Sequence, residues 1–288
     1  MRSFLFIPGD SERKLAKAYA SGADVVILDL EDSVSFERKG AARGLVAEAT
    51  RDAPVKVAIR VNAIGSGMME EDLAAVMAAA PAMIVVPKTE TGADVTRVAA
   101  MLAVHEAENG LDDGSTEILA IATETAGALF GLGTYRGASP RLTAMAWGAE
   151  DLSSALGATR VREADGRLTH PYEMARTLCL AGAVAADAAP IDTVYPDFRD
   201  EAGFLATCAA AAADGFLGKL AIHPAQVGPI NAAFTPSDAA VTHATRVVAA
   251  FDAEPGAGVV SLDGAMLDRP HLLNAQRLLA RAARLQAG

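Results

Sequence analysis

Short apolar runs recur along the chain, each closed by a polar or glycine-bearing turn and followed by an alanine-rich stretch with helical spacing. The runs show little alternation, as expected for strands buried on both faces of a parallel sheet. They predict strands at Phe4–Ile7, Val25–Leu30, Lys56–Val61, Met83–Pro87, Ile118–Thr123, Leu142–Trp147, Thr193–Tyr195 and Gly218–Ile222. Helical patterns fall between them near 11–21, 36–50, 69–80, 92–107, 125–132, 172–188 and 201–214. Strands alternating with helices in this number predict a (β/α)8 TIM barrel. A doubly wound open sheet is the runner-up, but it usually carries a glycine-rich phosphate fingerprint after its first strand. Here that turn reads Pro8-Gly9-Asp10-Ser11-Glu12-Arg13-Lys14. Past the eighth strand, residues 224–252 read as helical, 254–258 as a breaker and 271–286 as a last helix, with a short polar-spiked segment from Val259 to Pro270 between. The pattern divides into a catalytic barrel, 1–234, and a C-terminal helical extension, 235–288, serving as a lid, an oligomer arm or both.

Composition narrows the class. A chain of 288 residues that is 51% hydrophobic buries a large core. The net charge of −11 argues against nonspecific nucleic-acid binding. An anionic ligand would then find its positive contacts in a few placed lysines and arginines, or in a metal. No stretch approaches a membrane span, and the amino terminus falls short of a signal h-region, so the expected location is cytoplasmic. Cys179 and Cys208 sit in alanine-rich helical stretches and read as reduced, buried small hydrophobes.

Charge gathers where the strands stop. Strand two ends in Asp29-Leu30-Glu31-Asp32, strand three in Arg60-Val61-Asn62 and strand four in Pro87-Lys88. Strand five ends in Thr123-Glu124 and strand six in Trp147-Gly148-Ala149-Glu150-Asp151. In a barrel these ends share one rim, where ligands collect. Oxygen ligands without His or Cys spacing suit Mg²⁺, which takes one or two protein carboxylates and completes its shell with water and substrate. The other reading is a carboxylate–arginine network around Arg60, with Glu124 an acid of a first helical turn and Asp151 an N-cap ahead of Leu152. Arg60 suits bidentate carboxylate recognition or a developing oxyanion, and equally a pairing with Asp29 or Glu31. Arg13 and Lys14 open a helix as phosphate grips or as a solvated first turn. His223, at the exit of strand eight before Pro224, fits a turn residue as well as a ligand contact.

Several motifs stand in one order: Arg2-Ser3-x-Leu5-Phe6-x-Pro8-Gly9, Leu28-Asp29-Leu30-Glu31-Asp32, Ile59-Arg60-Val61-Asn62, Val86-Pro87-Lys88, Glu124-Thr125-Ala126 and Gly148-Ala149-Glu150-Asp151-Leu152. Tyr195-Pro196-Asp197, Gly218-Lys219-x-Ala221-Ile222-His223-Pro224-x-Gln226 and Gly264-x-Met266-x-Asp268-x-Pro270 follow. In these the chain resembles the citrate lyase β-subunit-like (CitE-like) group of the HpcH/HpaI aldolase superfamily, related to malyl-CoA and citramalyl-CoA lyases. The resemblance implies a (β/α)8 barrel that binds Mg²⁺, or Mn²⁺ in its place, through Glu124 and Asp151, with Glu31 and Asp32 contacting water on the metal. It implies that Arg60 binds the oxygen of an α-keto or α-hydroxy acid. Arg13, Lys14 and the segment holding Lys219, His223 and Gln226 would help hold coenzyme A. Lys88 reads as a structural or electrostatic residue and not a nucleophile. Asp268 matches a proton-carrying acid contributed by an adjacent subunit, so the expected assembly is a homotrimer or hexamer and the extension packs on a neighbour. Where some relatives have tyrosine stands Phe6, for which packing alone is expected.

The implied activity is Mg²⁺-dependent carbon–carbon cleavage, or the reverse, of a short 3-hydroxyacyl-CoA into an acyl-CoA and an α-keto acid. The alternatives are a citrate lyase β subunit acting on a citryl thioester of an acyl-carrier protein, a malate-synthase-like condensation, and a noncatalytic CoA-binding homologue.

Overall fold

The computed structural model describes residues 1–287. Eight parallel strands follow one another around a closed barrel. They are β1 (Ser3–Pro8), β2 (Val25–Asp29), β3 (Lys56–Arg60), β4 (Met83–Val86), β5 (Glu117–Ile121), β6 (Leu142–Ala146), β7 (Ala189–Asp192) and β8 (Gly218–Ala221). The helices that return the chain are α1 (Glu12–Ala18), α2 (Lys39–Arg51), α3 (Met69–Val76), α4 (Gly92–Glu108), α5 (Ala128–Gly131), α6 (Glu150–Leu156), α7 (His170–Ala185) and α8 (Glu201–Asp214). The ring shuts where β1 pairs with β8, Phe4 beside Leu220. Alternate residues of every strand fill the interior, among them Phe4, Ile27, Ala58, Val85, Leu119, Ala146, Ile191 and Leu220. This is the packed barrel core that the unalternating apolar runs imply.

The same alternation delivers the chemistry. Val25 and Ile27 point inward on β2, and Asp29 is the next inward position; on β3, Arg60 follows Ala58 in the same way. At the turn after β1, a Cβ on Gly9 would lie 2.5 Å from the Asp29 carbonyl oxygen, so only glycine lets the ends of β1 and β2 come this close.

Two expectations are corrected. The seventh strand runs Ala189–Asp192 and not Thr193–Tyr195. Pro190 and Asp192 disguise it, because proline and a lone acid both argue against a central strand. Within the barrel the Pro190 carbonyl accepts from Leu217 N at 2.9 Å, and Asp192 finds a cation on β8. Asp151 is not an N-cap: Ala149 holds that position and Asp151 lies in the first turn of α6.

By its contacts the chain divides into two compact units, Met1–Asn231 and Ala232–Gly288. Helix α9 (Val227–Ala233) spans the boundary, and α10 (Asp238–Ala253), β9 (Val259–Leu262), β10 (Ala265–Asp268) and α11 (Arg269–Ala287) follow. Strands β9 and β10 form an antiparallel hairpin turned at Asp263-Gly264, both with positive φ (53° and 79°). An Asp-Gly pair in this conformation marks a type I′ turn. Val247 and Phe251 pack with Val260, Leu267 and Ala275 as the core of this unit. No helix among the described residues is long and apolar enough to cross a membrane.

Candidate active site

The carboxyl ends of the strands surround a cavity of about 360 Å³, lined among others by Phe6, Asp29, Arg60, Glu124, Trp147 and Asp151. Arg60 donates from Nε to Asp29 Oδ1 and from Nη2 to Oδ2, both at 2.7 Å, a bidentate pair. Its third nitrogen, Nη1, lies 3.1 Å from Glu31 Oε2. The guanidinium carbon sits 4.8 Å from the centre of the Phe6 ring. Phe6 therefore does more than pack: it offers a π face to the cation. Burial alone would drive the Asp29 pKa up, but the Arg60 hydrogen bonds and charge hold it below the usual carboxylate range. Burial likewise opposes the Arg60 charge, and Asp29 and Glu31 more than offset it, keeping the guanidinium ionised.

Lys88 enters this network from β4 in a left-handed backbone conformation (φ 54°), unusual for a side chain of its size. Strain of this kind recurs at functional sites. Its N–H donates to Glu124 Oε2 at 2.7 Å. Its ammonium lies 2.6 Å from Glu31 Oε1, 3.4 Å from Asp32 Oδ2 and 3.4 Å from Asp151 Oδ1. Glu124 itself is 5% exposed. Burial raises its pKa to about 8; the Lys88 N–H works against that rise, and the charges of Asp151 and Glu31 add to it. Glu124 passes so near Gly148 that a Cβ there would lie 2.7 Å from its Cγ.

The donor set fits a hard divalent cation. Asp29, Glu31, Asp32, Glu124 and Asp151 face only Arg60 and Lys88 in the linked network, so carboxylates outnumber cations. Glu31 Oε2 is buried and, despite its nearness to Arg60, has no partner in hydrogen-bond geometry. Among the described residues no three His, Cys, Asp or Glu side chains form a closed cage. That excludes a Zn-type site and suits Mg²⁺, which needs only one or two protein carboxylates.

The remaining expected residues are placed differently. Lys14 is exposed and lines the mouth cavity; Arg13 is exposed beside it on α1. His223 caps the turn after β8, its Nδ1 accepting from Ala225 N at 3.2 Å. Gln226 is buried, accepting from Ile222 N and His223 N and donating to the Tyr195 carbonyl, so it ties the β7 and β8 loops together. Lys219 is not brought to the mouth. Its neighbour Leu220 faces the barrel interior, so Lys219 faces outward, where its ammonium meets Asp192 Oδ2 at 2.5 Å. Asp192 also accepts from Trp147 Nε1 at 2.7 Å. Asp268 belongs to the second unit, where it is 2.5 Å from His271 Nδ1, which lowers its pKa. The residue that sequence reasoning left out of the site is Lys88; its place at the end of a buried run was the available signal.

Residues 2–224 match the HpcH/HpaI aldolase/citrate lyase family. The chain is 36% identical to the citrate lyase subunit beta of Escherichia coli (strain K12) over 286 residues, 98% of this chain and 93% of that protein. It is 36% identical over 297 residues to a (3S)-malyl-CoA thioesterase of Cereibacter sphaeroides (strain ATCC 17029), 99% of this chain and 96% of that one. The crystal structure of CitE from Mycobacterium tuberculosis in complex with magnesium, acetoacetate and coenzyme A is similar with a TM-score of 0.78 and 35% identity, covering 98% of each chain.

Proposed function

The chain belongs to the HpcH/HpaI aldolase/citrate lyase family and is a lyase, and from that premise we propose Mg²⁺-dependent cleavage, or formation, of a short 3-hydroxyacyl-CoA of the malyl or citramalyl type. The observation that carries this reading is Glu124: a buried carboxylate, fixed by the Lys88 N–H against Gly148, beside Asp151 at the barrel mouth. In cleavage the bond between the carbinol carbon and the thioester α-carbon breaks. The hydroxyl proton leaves to a base, the bonding pair passes into a thioester enolate, and the enolate carbon then takes a proton. The products are an α-keto acid and an acyl-CoA.

Mg²⁺ bound by Glu124 and Asp151 would supply a Lewis acid and a template for the α-hydroxy acid end. Arg60, locked by Asp29, presents fixed positive charge to the oxygen on which charge develops. Lys88 holds Glu31 and steadies the acids around it. Glu31 and Asp32 are proposed to orient water at the site. For the proton carrier we take Asp268 of a neighbouring copy in a homotrimer or hexamer. Arg13, Lys14, His223 and Gln226 remain the candidates for holding coenzyme A. The likeness to the M. tuberculosis protein, whose complex contains magnesium and coenzyme A, supports both ligands.

The likeness to citrate lyase subunit beta favours a second reading, a citryl thioester carried on an acyl-carrier protein. The test is an assay of purified protein with Mg²⁺ on malyl-CoA and citramalyl-CoA, then EDTA. Metal-dependent release of keto acid with acyl-CoA is expected. Free thiol without keto acid would replace lyase by thioesterase action, and silence on both would move the substrate to a carrier protein.

A further inference from the structure

The barrel mouth is chemically lopsided. The acids Glu31, Asp32, Glu124 and Asp151 come from the β2, β5 and β6 ends, whereas the arc formed by β7, β8 and β1 carries aromatic rings and unpaired cations. Phe198, in the loop after β7, is 48% exposed. Its ring stacks on His223 of the loop after β8, with centroids 4.8 Å apart and 14° between the planes. The guanidinium carbon of Arg199 lies 5.6 Å from the Phe198 ring centre. The pair is held rigidly, because Gln226 joins both loops through Tyr195, Ile222 and His223. Next around the ring, Lys14 and Ile222 line the mouth cavity together.

Among the described residues Arg13, Lys14 and Arg199 have no carboxylate partner. Apart from Glu12, the acids of this arc are occupied: Asp10 by Arg38, Asp197 by the Arg199 N–H, and Asp200 by the Tyr195 hydroxyl and Gly203 N. A flat exposed ring stacked on an imidazole contributes little to a core. Beside free cations it has the makings of a stacking platform for a base that carries phosphates.

We propose that the Phe198–His223 pair is the platform for the adenine base of the CoA thioester, with the unpaired cations of the same arc serving its phosphates. This rests on the CoA reading above and adds where the nucleotide end is recognised. The platform lies across the mouth from the reacting carbon, so it acts on substrate affinity and leaves the chemical step alone.

Calorimetric titration of the full chain with CoA, adenosine 3′,5′-bisphosphate and pantetheine tests it. Phe198→Ala should weaken CoA and the bisphosphate by about 5- to 150-fold, the range of one base stacked on one aromatic ring. Phe198→Tyr should keep wild-type affinity, pantetheine should bind all three proteins alike, and the melting temperature should hold because the ring is exposed. Unchanged CoA affinity in Phe198→Ala overturns the platform and leaves the lyase reading standing. An equal loss for pantetheine makes Phe198 a loop brace and also overturns it. Absence of CoA binding by the wild type overturns the platform and the CoA reading together.

Discussion

Lys88 reaches Glu124 through its backbone N–H and Glu31 through its ammonium, so a single strained residue sets the electrostatics of the whole mouth. Glu124 has its pKa raised to about 8, from 4.5, chiefly by burial. Between those limits the folded protein carries a proton that the unfolded chain has lost, so metal-free stability declines as pH rises through this window. A metal must displace that proton. Mg²⁺ affinity should therefore climb by about tenfold per pH unit from roughly 6 to 8 and level off above. Calorimetric Mg²⁺ titration across pH checks this, and Glu124→Gln should bind weakly without the slope. A flat wild-type profile would remove Glu124 from the metal. Glu124, Asp151 and Arg60 could be picked out in the sequence because each follows a buried run that ends at the rim. The reach of Lys88 could not, since nothing about a lysine side chain announces φ 54°. Lys219 was misplaced for want of the strand's parity, which Leu220 settles once it is known to face inward.

At the level of elements, close approach explains two of the motif glycines. Gly9 admits the Asp29 carbonyl and Gly148 admits the Glu124 side chain. Gly148→Ala should push Glu124 out of line and lower kcat/KM on the order of 100-fold, as displacements near 1 Å can. The melting temperature in EDTA should stay near wild type. Turnover near wild type in this variant would show that Glu124 tolerates displacement and is not the fixed ligand. Strand β7 escaped the apolar pattern because its acid is neutralised only by a residue on the next strand, a long-range fact no local window contains. The β9–β10 hairpin was available in principle: Asp263-Gly264 between apolar positions is a recognised turn signal.

For the whole molecule, the strand count and the strand–helix alternation were enough to name a barrel; the closing pair β1–β8 is a consequence of geometry that only the structure displays. The proposed trans contribution of Asp268 gives an assembly-level prediction. Hybrid oligomers mixing Asp268→Asn with Arg60→Ala subunits should recover part of the activity that each variant alone lacks. Verified hybrids that stay inactive would place the proton carrier elsewhere. The β1–β8 seam also has a history in time. Ser3 and Lys219, paired in the finished barrel, leave the ribosome more than two hundred residues apart. At about 5–20 residues per second, the apolar edge of β1 waits roughly 10–40 s for its partner. During synthesis this protein is an open parallel sheet with an unsatisfied border, and that border is where a holdase chaperone, or a second nascent chain, meets it first.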